Sequence, residues 1–545
     1  MRAAGFFAFA TVATLLPVLV VAWNMGAHAP FWFLAGDAYL YLGIGETSSG
    51  LAMSFDGIRP TNGFHPMWQV FVRAATAVTS DQIGAMTLVA YGAVAFTYGG
   101  VLFLGTAIQR LTGSWLLAML AVPGAYYLII GQALQNLPVW AFFDGMEAGL
   151  AFFLAGIVAW MLVQTTLVEQ NRRLWIALGL ALAFLVLTRL DDAFVPFSMA
   201  VALAVWRGRP IRERFVNAAW LVVPTTIAVG LFLTWSYATT GMLSPVSGAA
   251  KGEGALLSNG WVTLVTVFSP LIDLREGLTS YTSSRIGLLG GAFRVIQLVV
   301  PALFAIGLLV SLLRRYRAEP WAPLLAGLCS GIIIKAAYNF AFVNYWHQAT
   351  WYYAVAMMTM TLGTAILIAP AVKTLTRRGM VVATLALGTL TLFHSSVWSA
   401  RLMTNEFPAT QRDFWVDRDE IQAAILAHTP DARVLEFGDG MINFTLDMPV
   451  RHGFVFAGDA QSLNALRLNQ LLRHSYADGF TLLSSYEYLL VPDGAEDWTS
   501  DQIRTFLEVS FLDHRVLEEL SDFDYEMVYV HRPTGVPFIA LTLRQ

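Results

Sequence analysis

Apolar runs about twenty residues long recur along this chain, and no other feature limits its fold so strongly. Segments such as 174–190 (LWIALGLALAFLVLTRL) and 293–313 have the length that crosses bilayer hydrocarbon as a helix. A soluble protein can bury one such run, but enclosing many of them takes more polar surface than this chain owns. Of its 545 residues, 57% are hydrophobic and only 13% charged. The composition therefore predicts a polytopic α-helical membrane protein. One cysteine, Cys329, excludes an internal disulfide and a thiolate metal cluster. Low basic content and the absence of any base-reading motif argue against a nucleic-acid partner. Residues 5–24 imitate a signal peptide, but no small-residue cleavage site follows and more spans do, so they read as a retained first helix.

Basic clusters fall at Arg172 and Arg173, from Arg207 to Arg214, from Arg314 to Arg317 and from Lys373 to Arg378. Placing them in the cytoplasm with Arg2 and Arg110 satisfies the positive-inside rule. Parity then calls for about eleven transmembrane helices: 5–25, 83–107, 114–130, 148–166, 174–190, 193–207, 218–238, 293–313, 322–341, 350–370 and 380–398. Residues 66–79, too short for a span, become an interfacial or partly re-entrant helix. This division gives a transmembrane domain over 1–403 with outer loops 26–82 and 239–292, and a soluble domain over 404–545. The unusual polar residues gather in segments on the extracytoplasmic side, where they point to a site; loops are polar for ordinary reasons too.

The first outer loop reads GDAYLYLGIGETSSGLAMSFDGIRPTNGFHPMW over 36–68. Its start predicts a short amphipathic helix over 37–46, with Asp37 at the end where backbone N–H groups lack partners. Such a loop, with Asp37, Glu46, Asp56, Arg59, Asn62 and His65, brings carboxylates toward lipid headgroups. Capping alone would also account for Asp37.

The Asp37 region with NGFHPMW at 62–68, DGMEAGL at 144–150, RLDDA at 189–193, GMLSPVSGAAKG at 241–252 and NYWHQATWYY at 344–353 occur in that order. In this arrangement the chain resembles the GT-C superfamily of polyprenyl-phosphate-sugar-dependent glycosyltransferases, nearest to the bacterial arabinofuranosyltransferase-like branch. The resemblance covers most of residues 30–355. It implies a GT-C type fold in the bacterial cytoplasmic (inner) membrane, with the active site and C-terminal domain on the extracytoplasmic side. It implies transfer of a sugar, arabinofuranose or another pentose among the candidates, from a polyprenyl-phosphate donor to a hydroxyl of a cell-envelope glycan, lipid or protein. Asp37 matches the first-loop acid that serves as general base. The branch often has two adjacent acids there, whereas Gly36 precedes Asp37 here, which leaves a metal-binding pair in doubt. No cofactor is firmly implied, and a divalent metal is optional rather than required.

Such a reaction needs a base for the acceptor hydroxyl and cations for the departing phosphate. Lys251 ends SPVSGAAK in an outer loop, where its long stem serves either a phosphate or plain snorkelling. Arg189 ends an apolar span just before Asp191 and Asp192; phosphate binding and a structural ion pair are equally open to it. Asp192 and Glu147 are candidate substrate contacts, and Glu147 is also placed to hold Arg189. His65, Asn62 and His347 offer hydrogen bonds to phosphate or sugar oxygens. Trp346 and Tyr352 suit a sugar or prenyl groove, or ordinary interfacial packing.

Beyond residue 404 the apolar runs shorten and charges become common. Strands are expected at 431–437, 453–457, 487–492 and 525–531, and helices at 418–426, 461–476 and 501–510, which predicts a soluble α/β C-terminal domain. It offers no catalytic residue; acceptor binding and bracing of the outer loops are its two readings. A lipid-linked glycan ligase or phosphotransferase would use the same lipid-phosphate chemistry. A transporter is less favoured, because no inverted repeat is visible.

Overall fold

The computed structural model describes residues 2–125, 142–167, 171–206, 210–251, 256–257, 259–260, 288–343, 350–438, 440–454, 457–486, 489–492, 494–510 and 514–544. In chain order the first helices are α1 (Ala3–Met25), α2 (Pro30–Phe33), α3 (Ala38–Thr47), α4 (Pro66–Val78), α5 (Gln82–Thr112), α6 (Trp115–Ala118), α7 (Ala121–Ala125), α8 (Glu147–Leu167), α9 (Arg172–Thr188), α10 (Phe194–Val205), α11 (Ile211–Thr240) and α12 (Val246–Lys251). Long helices follow at Leu288–Arg315, Ala322–Phe342, Ala354–Lys373 and Arg377–Met403. Among the described residues, seven helices are long and apolar enough to cross a bilayer. The spans expected at 174–190 and 293–313 are also helical, and that at 193–207 holds α10, whose 12 residues rise only about 18 Å; of the span expected at 114–130, α6 and α7 form and residues 126–130 lie outside the described residues. The chain is a multi-pass α-helical membrane protein with a small C-terminal sheet.

The chain divides into two compact units. The first comprises residues 1–29, 90–231 and 251–404; the second comprises 30–89, 232–250 and 405–545. Glycine sets the helix spacing in the first. A Cβ on Gly156 of α8 would stand 2.7 Å from the Gly100 carbonyl oxygen of α5, and one on Gly149 would stand 2.8 Å from that of Ala93. Gly327 and Gly331, four residues apart on the helix Ala322–Phe342, likewise leave room only for the backbones of Met199 and Val195 in α10. Small residues at this spacing let helices meet backbone to backbone where no hydrophobic drive separates helix from lipid. Outward-facing Leu16, Leu19, Val201, Leu385 and Phe393 are large and exposed, as an apolar solvent requires.

In the second unit, β1 (Val434–Glu436), β2 (Val450–His452), β3 (Leu482–Ser484), β4 (Phe523–His531) and β5 (Val536–Leu543) form one sheet in the order β2-β1-β3-β5-β4. β1 pairs in parallel with β2 and β3, while β5 is antiparallel to β3 and β4. The three parallel strands are buried at every position, and β4 alternates at its start, with Phe523 and Tyr525 inward. Leu435, Phe437, Leu483 and Ile539 pack with Leu463, Leu472 and Leu507 from the helices in a core that also takes in Val246 and Ala250.

Several expectations shift here. Strands form at 450–452 and 482–484, upstream of those expected at 453–457 and 487–492, of which residues 455–456 and 487–488 lie outside the described residues. At 489–492 the side chains of Leu489 and Val491 are buried without strand pairing, which is why the apolar pattern misleads. β5 carries no expectation at all. The helix expected over 461–476 breaks into Ala460–Arg467 and Leu471–Ala477, with Asn469 at φ 53° between them; asparagine tolerates that left-handed conformation. Nor is α3 amphipathic in its surroundings: residues 38–45 are all buried, because α4 and the helix Met441–Thr445 cover it from two sides.

Glu436, at the end of β1, is buried and accepts from the backbone N–H groups of Ile442 and Asn443 at 3.1 and 3.2 Å. Burial pushes its carboxyl up to about 7 against the opposite pull of those N–H groups and that of Gly440. Its folded pKa thus exceeds the unfolded 4.5, so the folded state binds the extra proton between the two values and stability falls as pH rises through that window. Thermal unfolding at pH 5 and pH 8 should show a loss toward pH 8 that shrinks in Glu436→Gln; an unchanged difference would mean that Glu436 ionises normally.

Candidate active site

In the first unit, six charged side chains and one tyrosine converge around the turn that follows α9. The helix ends at Thr188, Arg189 takes an extended conformation, and Leu190–Ala193 makes a single 3-10 turn before α10. That turn puts Asp191 and Asp192 beside the helix Ala322–Phe342. Lys335 lies one helical turn beyond Gly331, on the face that the two glycines press against α10. Its ammonium meets Asp192 at 2.6 Å, Asp191 at 3.0 Å and the Tyr352 carbonyl at 2.9 Å. Glu147, the first residue of α8, pairs with Nη1 of Arg189, whose Nε and Nη2 engage both oxygens of Asp191 at 3.2 and 3.3 Å. Asp191 therefore links the two cations.

Glu147, Arg189 and Asp192 are buried. Charges placed so deep survive only when paired and hydrogen-bonded, and here each carboxylate has a cation within reach. The Arg189 guanidinium carbon also lies 4.1 Å from the centre of the Tyr352 ring. On the phenol itself, Lys251 at the end of α12 donates from Nζ to the hydroxyl at 3.2 Å. Lys251 is half-buried, and Arg189 meets the carboxylates of Glu147 and Asp191. This arrangement can receive an anion at Lys251 while Arg189 fixes the ring that Lys251 rests on.

Five of the expected site residues, Glu147, Arg189, Asp192, Lys251 and Tyr352, are thus brought together. Lys335 is the member that the sequence reading missed. Its signal was available: a lone lysine inside an otherwise apolar span, APLLAGLCSGIIIKAAYNFAF, marks a buried partner. Trp346 and His347 lie outside the described residues.

The remaining expected residues belong to the second unit. Asp37 stands half-buried at the N-terminus of α3, where its backbone carbonyl accepts from Leu40; its side chain makes no capping bond. Asn62 is buried with its amide committed to the chain: it donates to Ser236 Oγ at 2.6 Å and the Ser244 carbonyl at 3.1 Å, and accepts from Val246 N–H at 2.9 Å. That makes Asn62 the staple of the 242–246 turn. His65 precedes α4, and its carbonyl accepts from Gln69. Asp56 organises the loop by accepting from Ile58 and Arg59 N–H at 2.8 Å each, and Arg59 reaches Asp478 at 2.8 Å.

The sequence matches no protein-family model and no curated protein. Among solved structures it is similar to ArnT from Cupriavidus metallidurans bound to undecaprenyl phosphate, with a TM-score of 0.47 and 13% identity over 99% of this chain and 98% of that one. It is also similar to the Archaeoglobus fulgidus oligosaccharyltransferase tethered with an acceptor peptide, with a TM-score of 0.49 and 10% identity over 100% of this chain and 74% of that one.

Proposed function

We propose that the chain is a GT-C type membrane glycosyltransferase that moves a sugar from a polyprenyl-phosphate donor to a hydroxyl of a cell-envelope glycan, lipid or protein. The observation that supports it is the placement of Lys251 on the Tyr352 phenol, above a charge cluster that holds the ring in place. The ammonium meets the donor phosphate. Asp37 takes the proton of the acceptor hydroxyl as its oxygen attacks the anomeric carbon. The bond from that carbon to the phosphate oxygen breaks, and polyprenyl phosphate leaves with the electron pair. One displacement inverts the anomeric centre. The order of motifs along 30–355 favours a pentose such as arabinofuranose, in a protein of the bacterial inner membrane with its chemistry on the outer side.

Radiolabelled polyprenyl-phosphate sugars, pentoses and hexoses, offered to the purified protein in lipid nanodiscs test this directly. Transfer from one of them is expected, and silence across the panel from a folded protein overturns the reading. Lys251→Ala should lower kcat/KM for that donor about 10–100-fold, the worth of one charge-assisted hydrogen bond, with partial recovery in Lys251→Arg. Full activity in Lys251→Ala would remove it from the phosphate site.

A further inference from the structure

The geometry points to Gly440 and Asn443 of the C-terminal domain as positioning residues for Asp37, so that the domain acts on the reaction by clamping the helix which Asp37 begins. This inference rests on Asp37 being the base proposed above. It deepens that reading by assigning the 405–545 segment a part in the chemistry.

Three sets of contacts carry it, all within the second unit. First, the turn after β1 comes up against the first residues of α3. Gly440 has φ +87°, and a Cβ there would lie 2.8 Å from the backbone nitrogen of Leu40 and 3.0 Å from its Cα. The partner at that distance is backbone, so only displacement of α3 or of the turn relieves a side chain at 440. Second, one turn further along α3, Gly43 faces Asn443: a Cβ on Gly43 would stand 2.1 Å from Asn443 Oδ1. The same amide donates to the Phe55 carbonyl at 2.8 Å, so it grips the helix and the loop that follows it together. Third, aromatic contacts hold the stretch before and around Asp37. Phe31 packs against Trp415 with ring centroids 6.0 Å apart, and Tyr39 packs against Phe444 at 5.7 Å. Asp37 lies between these holds, two residues before Tyr39.

The position of the clamp has a topological meaning. β1 is flanked in parallel by β2 on one side and β3 on the other, so the chain reverses its direction of winding at the carboxyl ends of β1 and β3. Open α/β sheets take their ligands at that crevice. Here the turn and helix that leave the carboxyl end of β1 receive the chain's own α3. Glu436 steadies them by accepting from Ile442 and Asn443 N–H. A base held this way approaches the acceptor in a set geometry, and displacement by about 1 Å costs on the order of 100-fold in rate.

The test uses the full chain in nanodiscs with Cys329→Ala, which leaves no other cysteine. Asp37→Cys carrying a nitroxide reports the mobility of position 37, and Ser80→Cys, exposed in the same outer loop, is the control. Gly440→Ala is expected to narrow the spectrum at 37 and leave that at 80 unchanged. Should Gly440→Ala fail to fold, Gly43→Ala replaces it, since its clash is with a side-chain end rather than backbone. In the otherwise native chain, either variant should lower kcat about 10–100-fold at nearly constant donor KM. An immobile label at 37 in both variants overturns the clamp, as does wild-type kcat in them while Asp37→Asn is inactive. Activity retained in Asp37→Asn would instead overturn the base, whatever the label shows.

Discussion

Asp37→Asn is expected to lower the rate of sugar transfer by about 100- to 10,000-fold, the usual worth of a positioned general base. The substitution keeps the volume of the side chain and removes its ability to take a proton. It should leave α3 in place, because that helix starts without a capping bond from the Asp37 side chain and is buried along residues 38–45. The measurement is single-turnover transfer from the donor that wild-type protein uses, with thermal unfolding recorded in parallel. An unchanged unfolding midpoint with lost turnover assigns the base. Turnover near the wild-type rate would leave Asp37 as a helix-terminal residue and reopen the search for whatever accepts the proton.

The second large effect concerns folding rather than chemistry. Lys335→Met removes the cation that stands 2.6 Å from Asp192 and 3.0 Å from Asp191, and it strips the Tyr352 carbonyl of a donor. Arg189 still engages Asp191, but Asp192 stays buried beside that second carboxylate without the ammonium that it met. Breaking a buried pair from one side costs about 3–5 kcal/mol, since the stranded charge has neither water nor partner. Purified Lys335→Met should therefore unfold at a much lower temperature or fail to leave the membrane as a monodisperse species. Adding Asp192→Asn, which neutralises the stranded carboxylate, should restore most of the loss. A single variant as stable as wild type would mean that Asp192 is already protonated in the folded protein, and the pair would then not be ionic.

Much of the architecture was legible because the bilayer imposes a one-dimensional rule. A helix that spans hydrocarbon must be apolar for about twenty residues, so the expected span at 322–341 and the observed helix Ala322–Phe342 differ by a single residue. The short strands of the C-terminal domain follow no such rule. Three residues suffice for β1, β2 and β3, and burial at every position erases the alternation that would have marked them. A stretch such as 489–492, where Leu489 and Val491 are buried without strand pairing, then competes for the same reading.

For the site, charge in an apolar setting was the readable signal. Glu147, Arg189 and Lys251 stood out as polar residues near span ends, and the sequence left Glu147 open between a sugar hydroxyl and Arg189. Only three-dimensional packing put Glu147 against Arg189, because no local pattern relates residues forty-two positions apart. Lys335 was visible as a lysine in an apolar helix, yet its partners depend on how closely that helix approaches α10, which Gly327 and Gly331 decide together with the backbone opposite them. Asn62 shows the converse: its amide chemistry suited a sugar, but the fold directs it to the 242–246 turn. The sequence by itself determined the solvent of each segment, since transfer free energy adds up residue by residue along the chain. Which buried charges meet, and what covers α3, only the tertiary structure decided, because pairing depends on distances between segments remote in the chain.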